Sequence, residues 1–241
     1  MGGAGRRRRP SPAGRRLPSR ARSGAAGRSA RHERHGLAVT RDEALRPLAS
    51  RRGQAVVVTT MGTVRPWARL SDHPLDFASA DSAMGHAADF ALGLALAQPG
   101  RKVLCLNGDG SMLMSLGTLV TIVASGAANL VLFVLQNDTY ELTGNQSIPG
   151  AGRVDFAALA RAAGFTRVWA FEEAGAYESA LPSILEGPGP VFVVVKVEPG
   201  AEGPLGRGPA ESAAYLRPSL AESARLLRRA ILDQDYGRVD S

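Results

Sequence analysis

Two short polar runs, Gly108-Asp-Gly-Ser111 and Asn137-Asp138-Thr139, each follow a stretch, 102–107 and 129–136, that is apolar throughout its interior. If both stretches are neighbouring strands of one sheet, their ends lie about 4.8 Å apart. Polar side chains from the two ends can then meet on a single hard cation at the ~2.1 Å that Mg²⁺ requires. Gly110 and Ser111 open a helix, whose free amides and positive dipole end suit a phosphate. The glycines let the backbone turn tightly and come close to a ligand. The chemistry this pattern points to is a magnesium ion bridging a protein carboxylate and a diphosphate.

The elements needed to hold those ends together follow from the apolar pattern. Thr40 and Glu43 have the spacing of a capping box, so a helix begins near residue 41, with Pro47 expected to kink or shorten it. A β-branched run at 55–59 reads as a strand, 63–70 as a helix with Pro66 in its first turn, and 84–97 as a helix rich in small residues. The strongest stretch predicts a strand at 102–107, a helix at 111–125 and a strand at 129–136. Both strands are apolar without alternation, the mark of a parallel sheet covered on its two faces. An irregular loop is expected at 137–153. A helix (155–163), strand (166–170), helix (173–186) and strand (190–197) complete the alternation. The fold class is therefore α/β, a doubly wound, mostly parallel sheet with helices on both faces.

The 241 residues carry a net charge of +7, but eleven of the arginines lie in residues 1–35 against one acid, Glu33. The basicity belongs to a tail, and nucleic acid is not expected as a partner of the body. Residues 1–38 read as a disordered Arg/Gly/Pro-rich tail, residues 39–198 as the domain, and 199–241 as a linker and C-terminal helix. A transit peptide or surface anchor would need an amphipathic helix that the Gly and Pro content opposes. No apolar run is long enough to span a bilayer. A soluble, cytoplasmic protein without a membrane partner is expected. One cysteine, Cys105, rules out a disulfide framework and a cluster held by this chain alone, and reads as a small buried hydrophobe.

The two polar runs, separated by 25 residues, resemble the cofactor motif of thiamine diphosphate enzymes. Ser82-Ala-Met-Gly-His-Ala87 resembles the approach to that motif. Tyr140-Glu-Leu-Thr-Gly-Asn-Gln146 and the stretch 154–164 resemble sulfopyruvate and phosphonopyruvate decarboxylases. The resemblance implies thiamine diphosphate and Mg²⁺ as cofactors, with Asp109, Asn137 and the carbonyl of Thr139 as metal ligands. It implies cofactor contacts from Ser82, Met84, Gly108, Gly110, Ser111 and Tyr140. Met84 would prop the cofactor in its bent form, and the Ser82 carbonyl would accept from its amino group. His86 could touch substrate or be structural. Ser82, Ala83 and Thr139 depart from the family's usual residues, which matters little where the contact is a backbone carbonyl.

Family chemistry also needs a Glu from a pyrimidine-binding domain, and upstream of residue 108 this chain offers only Glu33 and the capping Glu43. The resemblance thus implies the pyrophosphate-binding subunit of a split 2-oxo acid decarboxylase, completed by a partner subunit that supplies the Glu. In such a carboxy-lyase a thiazolium ylide attacks the keto carbon, carbon dioxide leaves and an aldehyde is released. A carboligase of the acetolactate synthase type, or a non-catalytic cofactor-binding regulatory subunit, are the alternatives. Met112 reads as core, His32, His35 and His73 as solvated, and Arg153 as a surface charge. Thr143, Asn145 and Gln146 bind substrate or shape their loop.

Overall fold

Residues 103–107, 130–136 and 191–195 are buried without a break, which a strand achieves only when both faces of its sheet are covered. In the computed structural model, which describes Gly2, residues 39–78 and residues 84–236, they form the middle of one sheet. Its strands are β1 (Val56–Thr59), β2 (Asp76–Ala78), β3 (Val103–Gly108), β4 (Leu130–Gln136), β7 (Arg167–Phe171) and β8 (Val191–Lys196). They run in the order β2-β1-β3-β4-β8-β7, every pair parallel. Between β4 and β7 lies a small antiparallel pair, β5 (Thr139–Tyr140) and β6 (Gln146–Ser147).

Side chains alternate between two apolar layers, as a period of two demands. Val103, Cys105, Leu130, Leu132, Phe192 and Val194 face one layer, against helices α3 (Ala87–Ala97), α5 (Gly117–Ser125), α6 (Phe156–Ala163) and α8 (Leu220–Tyr236). Leu104, Leu106, Val131, Phe133, Val193 and Val195 face the other, against α1 (Arg41–Arg51), α2 (Val64–Ala68) and α7 (Ala174–Glu186). Cys105 is wholly buried on β3, and burial pushes its thiol far above the ordinary range. Residues beyond 198 pack onto the same body: Leu227 and Ile231 of α8 join the first layer, and Arg65 on α2 pairs with Glu211.

Four elements differ from the sequence expectation, the first being β2, a strand at residues that the apolar pattern leaves unassigned. The helix foreseen at 111–125 is two, α4 (Asp109–Met114) and α5, broken where Ser115 leaves the helical region at φ −141°, ψ 48°. α1 continues past Pro47 to Arg51 and is not cut short there. The bond that Pro47 cannot make would have gone to Glu43, an exposed residue, so water can take its place. The loop at 137–153 holds the β5–β6 pair and a 3₁₀ turn, Glu141–Thr143. The capping box at Thr40 is formed: the Glu43 amide donates to Thr40 Oγ1 at 3.2 Å, and the Thr40 amide to Glu43 Oε2 at 2.8 Å. The tail, with Glu33, His32 and His35, lies outside the described residues apart from Gly2.

Candidate functional site

β3 lies between β1 and β4, so their three carboxyl ends open onto one place, where ligands bind in sheets of this kind. A cavity of about 360 Å³ occupies it. Gly108, Asp109, Gly110 and Ser111 line it from β3 and α4, and Leu135, Asn137, Thr139 and Tyr140 from β4 and β5. Met84 and Met114 form an apolar wall, and Arg41, Met61, Thr63 and Glu141 complete the rim. Its size falls in the ~300–1,000 Å³ range of cofactor sites.

Asp109 is the electrostatic centre. It is 1% exposed and accepts two amides, Gly110 N at 2.7 Å on Oδ1 and Asp138 N at 2.6 Å on Oδ2. Burial outweighs these bonds and pushes its carboxyl up to about 6. Among the described residues it has no cationic partner. A buried carboxylate whose anionic form is under-compensated is a natural seat for a cation. Asn137 stands just past the end of the neighbouring strand β4, with Oδ1 accepting from Thr139 N at 3.1 Å. The Asp138 amide reaches Asp109 because Asp138 takes a left-handed conformation, φ 58°, which Asp tolerates better than most residues. Asp109, Asn137 Oδ1 and a main-chain carbonyl are all hard oxygen donors, the set that Mg²⁺ takes. No cluster of three His, Cys, Asp or Glu suited to a metal occurs among the described residues.

The other candidate residues divide clearly. Gly110 is required where it stands: a Cβ there would come 2.5 Å from Tyr140 Cε1 and 3.2 Å from Ile148 Cγ2. Ser111, 3% exposed, accepts from the Gly85 amide at 3.0 Å and so pins the turn that carries Met84. Because α4 is only six residues long, its dipole is a minor attraction for phosphate; the first-turn amides that remain once Gly110 N bonds Asp109 are the larger one. His86 is exposed, precedes α3 and bonds Asp89 at 3.1 Å; it does not line the cavity. Ser82 and Ala83 lie outside the described residues. Thr143 reaches the rim, whereas Asn145 and Gln146 are engaged within their loop and with Gly200. His73 is half-buried, not solvated, with Nδ1 accepting from the Leu75 amide at 3.1 Å. Met112 is core and Arg153 is exposed.

Two features escaped the sequence. The segment after β1 contributes Met61, Gly62 and Thr63, and Met61 sits at φ 46°, a strained conformation for its type. The rule that ligands meet strand carboxyl ends could have found it. The second is Glu141, which accepts from Arg41 Nη1 at 2.9 Å and is also bonded by Arg41 Nη2. Burial opposes ionisation of Glu141, but Arg41 and the Glu202 and Gly200 amides together hold its carboxyl below the usual range.

Residues 60–195 match the family of thiamine pyrophosphate enzymes, C-terminal TPP binding domain, and the chain belongs to that family. Thiamine pyrophosphate is thiamine diphosphate under its other name. Among curated relatives, the chain is 40% identical over 187 residues to phosphonopyruvate decarboxylase of Streptomyces hygroscopicus, covering 76% of this chain and 46% of that one. It is 42% identical over 131 residues to sulfopyruvate decarboxylase subunit beta of Methanothermobacter thermautotrophicus, covering 54% of this chain and 66% of that one. The chain spans about half the length of the phosphonopyruvate decarboxylases it matches. Benzoylformate decarboxylase of Polynucleobacter necessarius shares the fold, with a TM-score of 0.60 at 21% identity over 71% of this chain and 35% of that one. Among the described residues no helix is long and apolar enough to cross a membrane.

Proposed function

We propose that this chain is the pyrophosphate-binding subunit of a split, magnesium-dependent 2-oxo acid decarboxylase that works in the cytoplasm with thiamine diphosphate. The observation that carries this reading is Asp109, a carboxylate held 1% exposed at the end of β3, without a cationic side-chain partner among the described residues, beside Asn137 just past the end of β4. Asp109, Asn137 Oδ1 and the carbonyl of Thr139 would hold the magnesium, and the first amides of α4 the diphosphate. Gly108 and Gly110 leave room for that approach, and Tyr140 closes over Gly110. Met84, placed by the Ser111–Gly85 bond, would support the cofactor's bend from the cavity wall. When bound, the cofactor supplies an electron sink for the carbon that loses carbon dioxide. The residues of this chain fix its tail, screen its charge and exclude water with Met61, Met84, Met114 and Leu135.

A partner subunit supplies the activating Glu. In support, Glu43 is committed to its helix cap by two bonds, from the Thr40 amide and hydroxyl, and Glu141 to Arg41. The name of the Methanothermobacter relative, a subunit beta, points the same way. The substrate class is a small 2-oxo acid bearing a second anionic group such as a phosphonate or sulfonate, after the names of the relatives. The test is calorimetry with thiamine diphosphate, with and without Mg²⁺, followed by product analysis with phosphonopyruvate and sulfopyruvate in the presence of a Glu-bearing pyrimidine-domain partner. Aldehyde with carbon dioxide supports the reading. Acyloin would move the chain to the carboligases, cofactor binding without turnover in any pair to the regulatory modules, and no Mg²⁺-dependent binding would refute the site.

A further inference from the structure

Glu141 is 7% exposed, yet it is an anion at the edge of a cavity proposed to bind one. Its two oxygens are fully engaged: Oε1 by Arg41 Nη1 at 2.9 Å and the Glu202 amide at 2.9 Å, Oε2 by Arg41 Nη2 and by Asn137 Nδ2 at 3.1 Å. Gly200 allows the pair this close, since a Cβ there would lie 2.5 Å from Glu141 Oε1 and 2.8 Å from Arg41 Nη1. The contact with Asn137 is the informative one. An Asn amide has a donor end and an acceptor end, and only the oxygen can bind a metal. A carboxylate held against an Asn tolerates the NH₂ end alone, because the flipped amide would set oxygen against oxygen. Glu141 therefore rejects the flip, together with the Thr139 amide that donates to Oδ1 at 3.1 Å, and leaves the second lone pair of Asn137 Oδ1 for the cation.

We infer that Glu141, clamped by Arg41, is a positioning residue that orients Asn137 for magnesium. The inference rests on the metal reading above. Partners of this kind, one bond out from a ligand, are worth about 10–100-fold in metal affinity. Removing Glu141 alone would strand a buried guanidinium, so the test removes the ion pair as a unit, which is far better tolerated.

Two full-length double variants, R41M/E141Q and R41M/E141M, both lack the pair, and only the first keeps an oxygen opposite Asn137. The half-saturating Mg²⁺ for thiamine diphosphate binding is read by calorimetry, and melting without Mg²⁺ reports the fold. The Gln variant is expected within about 3-fold of the parent and the Met variant about 10–100-fold weaker, with equal melting of the two. Equal Mg²⁺ dependence in both would overturn the inference. If the Met variant does not fold, N137D and N137D/E141Q read the same contact, the carboxylate introduced at position 137 standing in for the charge that Arg41 loses in the second. Relief of the facing carboxylates should tighten Mg²⁺ at least about 10-fold in the second, and no tightening would again overturn it. Asp109→Ala separates the two layers of argument. Undiminished Mg²⁺-dependent binding in that variant refutes the metal site itself, whereas its loss with identical Gln and Met variants refutes Glu141 alone.

Discussion

Replacing Asp109 by Asn should flatten the pH dependence of stability in the metal-free protein. The folded carboxyl sits at about 6, raised by burial from 3.8, so the native state holds this proton more tightly than the unfolded chain does. Its contribution to stability is greatest below pH 3.8 and is lost as pH rises through 6. The whole effect is about 3 kcal/mol at ~1.4 kcal/mol per unit, and about 1.4 kcal/mol of it falls between pH 5 and 7.5. Asn is neutral throughout. Its NH₂ group faces amide donors, but that cost does not change with pH. Urea unfolding of both proteins in chelator at pH 5 and pH 7.5 isolates the slope. The parent should lose about 1.4 kcal/mol relative to the variant on going to pH 7.5. Added Mg²⁺ and thiamine diphosphate should restore the parent and leave the variant unchanged. A parent-minus-variant difference that is the same at both pH values would refute the argument that Asp109 is an under-compensated buried acid.

Other outcomes follow from single contacts. Gly110→Ala should cost about 1–3 kcal/mol by overpacking against Tyr140 and weaken cofactor binding, and adding Tyr140→Ala should recover part of the stability in urea unfolding. Thr40→Ala should remove the capping box and lower stability by about 1 kcal/mol, with cofactor binding retained. Ser111→Ala should free the Gly85 turn and raise the dissociation constant for thiamine diphosphate in calorimetry several-fold, about 1 kcal/mol for a lost neutral bond. Phe133→Ala, on a wholly covered strand, should cost about 3–5 kcal/mol in the same unfolding assay.

What could be read in advance, and what could not, has physical causes. The stretch 130–135 is apolar on both faces, so β4 was plain, and with β3 it placed Asp109 and Asn137 side by side. β2 was invisible because it is three residues long and begins with Asp76, which is charged and paired with Arg52. The break at Ser115 carries no Pro, and its one mark, Gly117 at the start of α5, is a residue that a continuous helix can also hold. At the site, spacing reveals residues that share a strand end, and it does so for Asp109. It cannot reveal Arg41 beside Glu141, 100 positions apart, which only the assembled fold brings together. Glu141 stood within a stretch already singled out, but its type alone suits a solvated loop as well as a buried clamp.

Cys105 offers a last consequence. Wholly buried on β3, its sulfur faces the apolar layer under α3, α5 and α6, and can meet an alkylating reagent only when that helix layer, and the core with it, comes apart. As the one thiol in the chain, it is an internal clock on whole-molecule opening, readable by mass shift without any denaturant. Slower alkylation once thiamine diphosphate and Mg²⁺ are present would register their grip on the folded state directly.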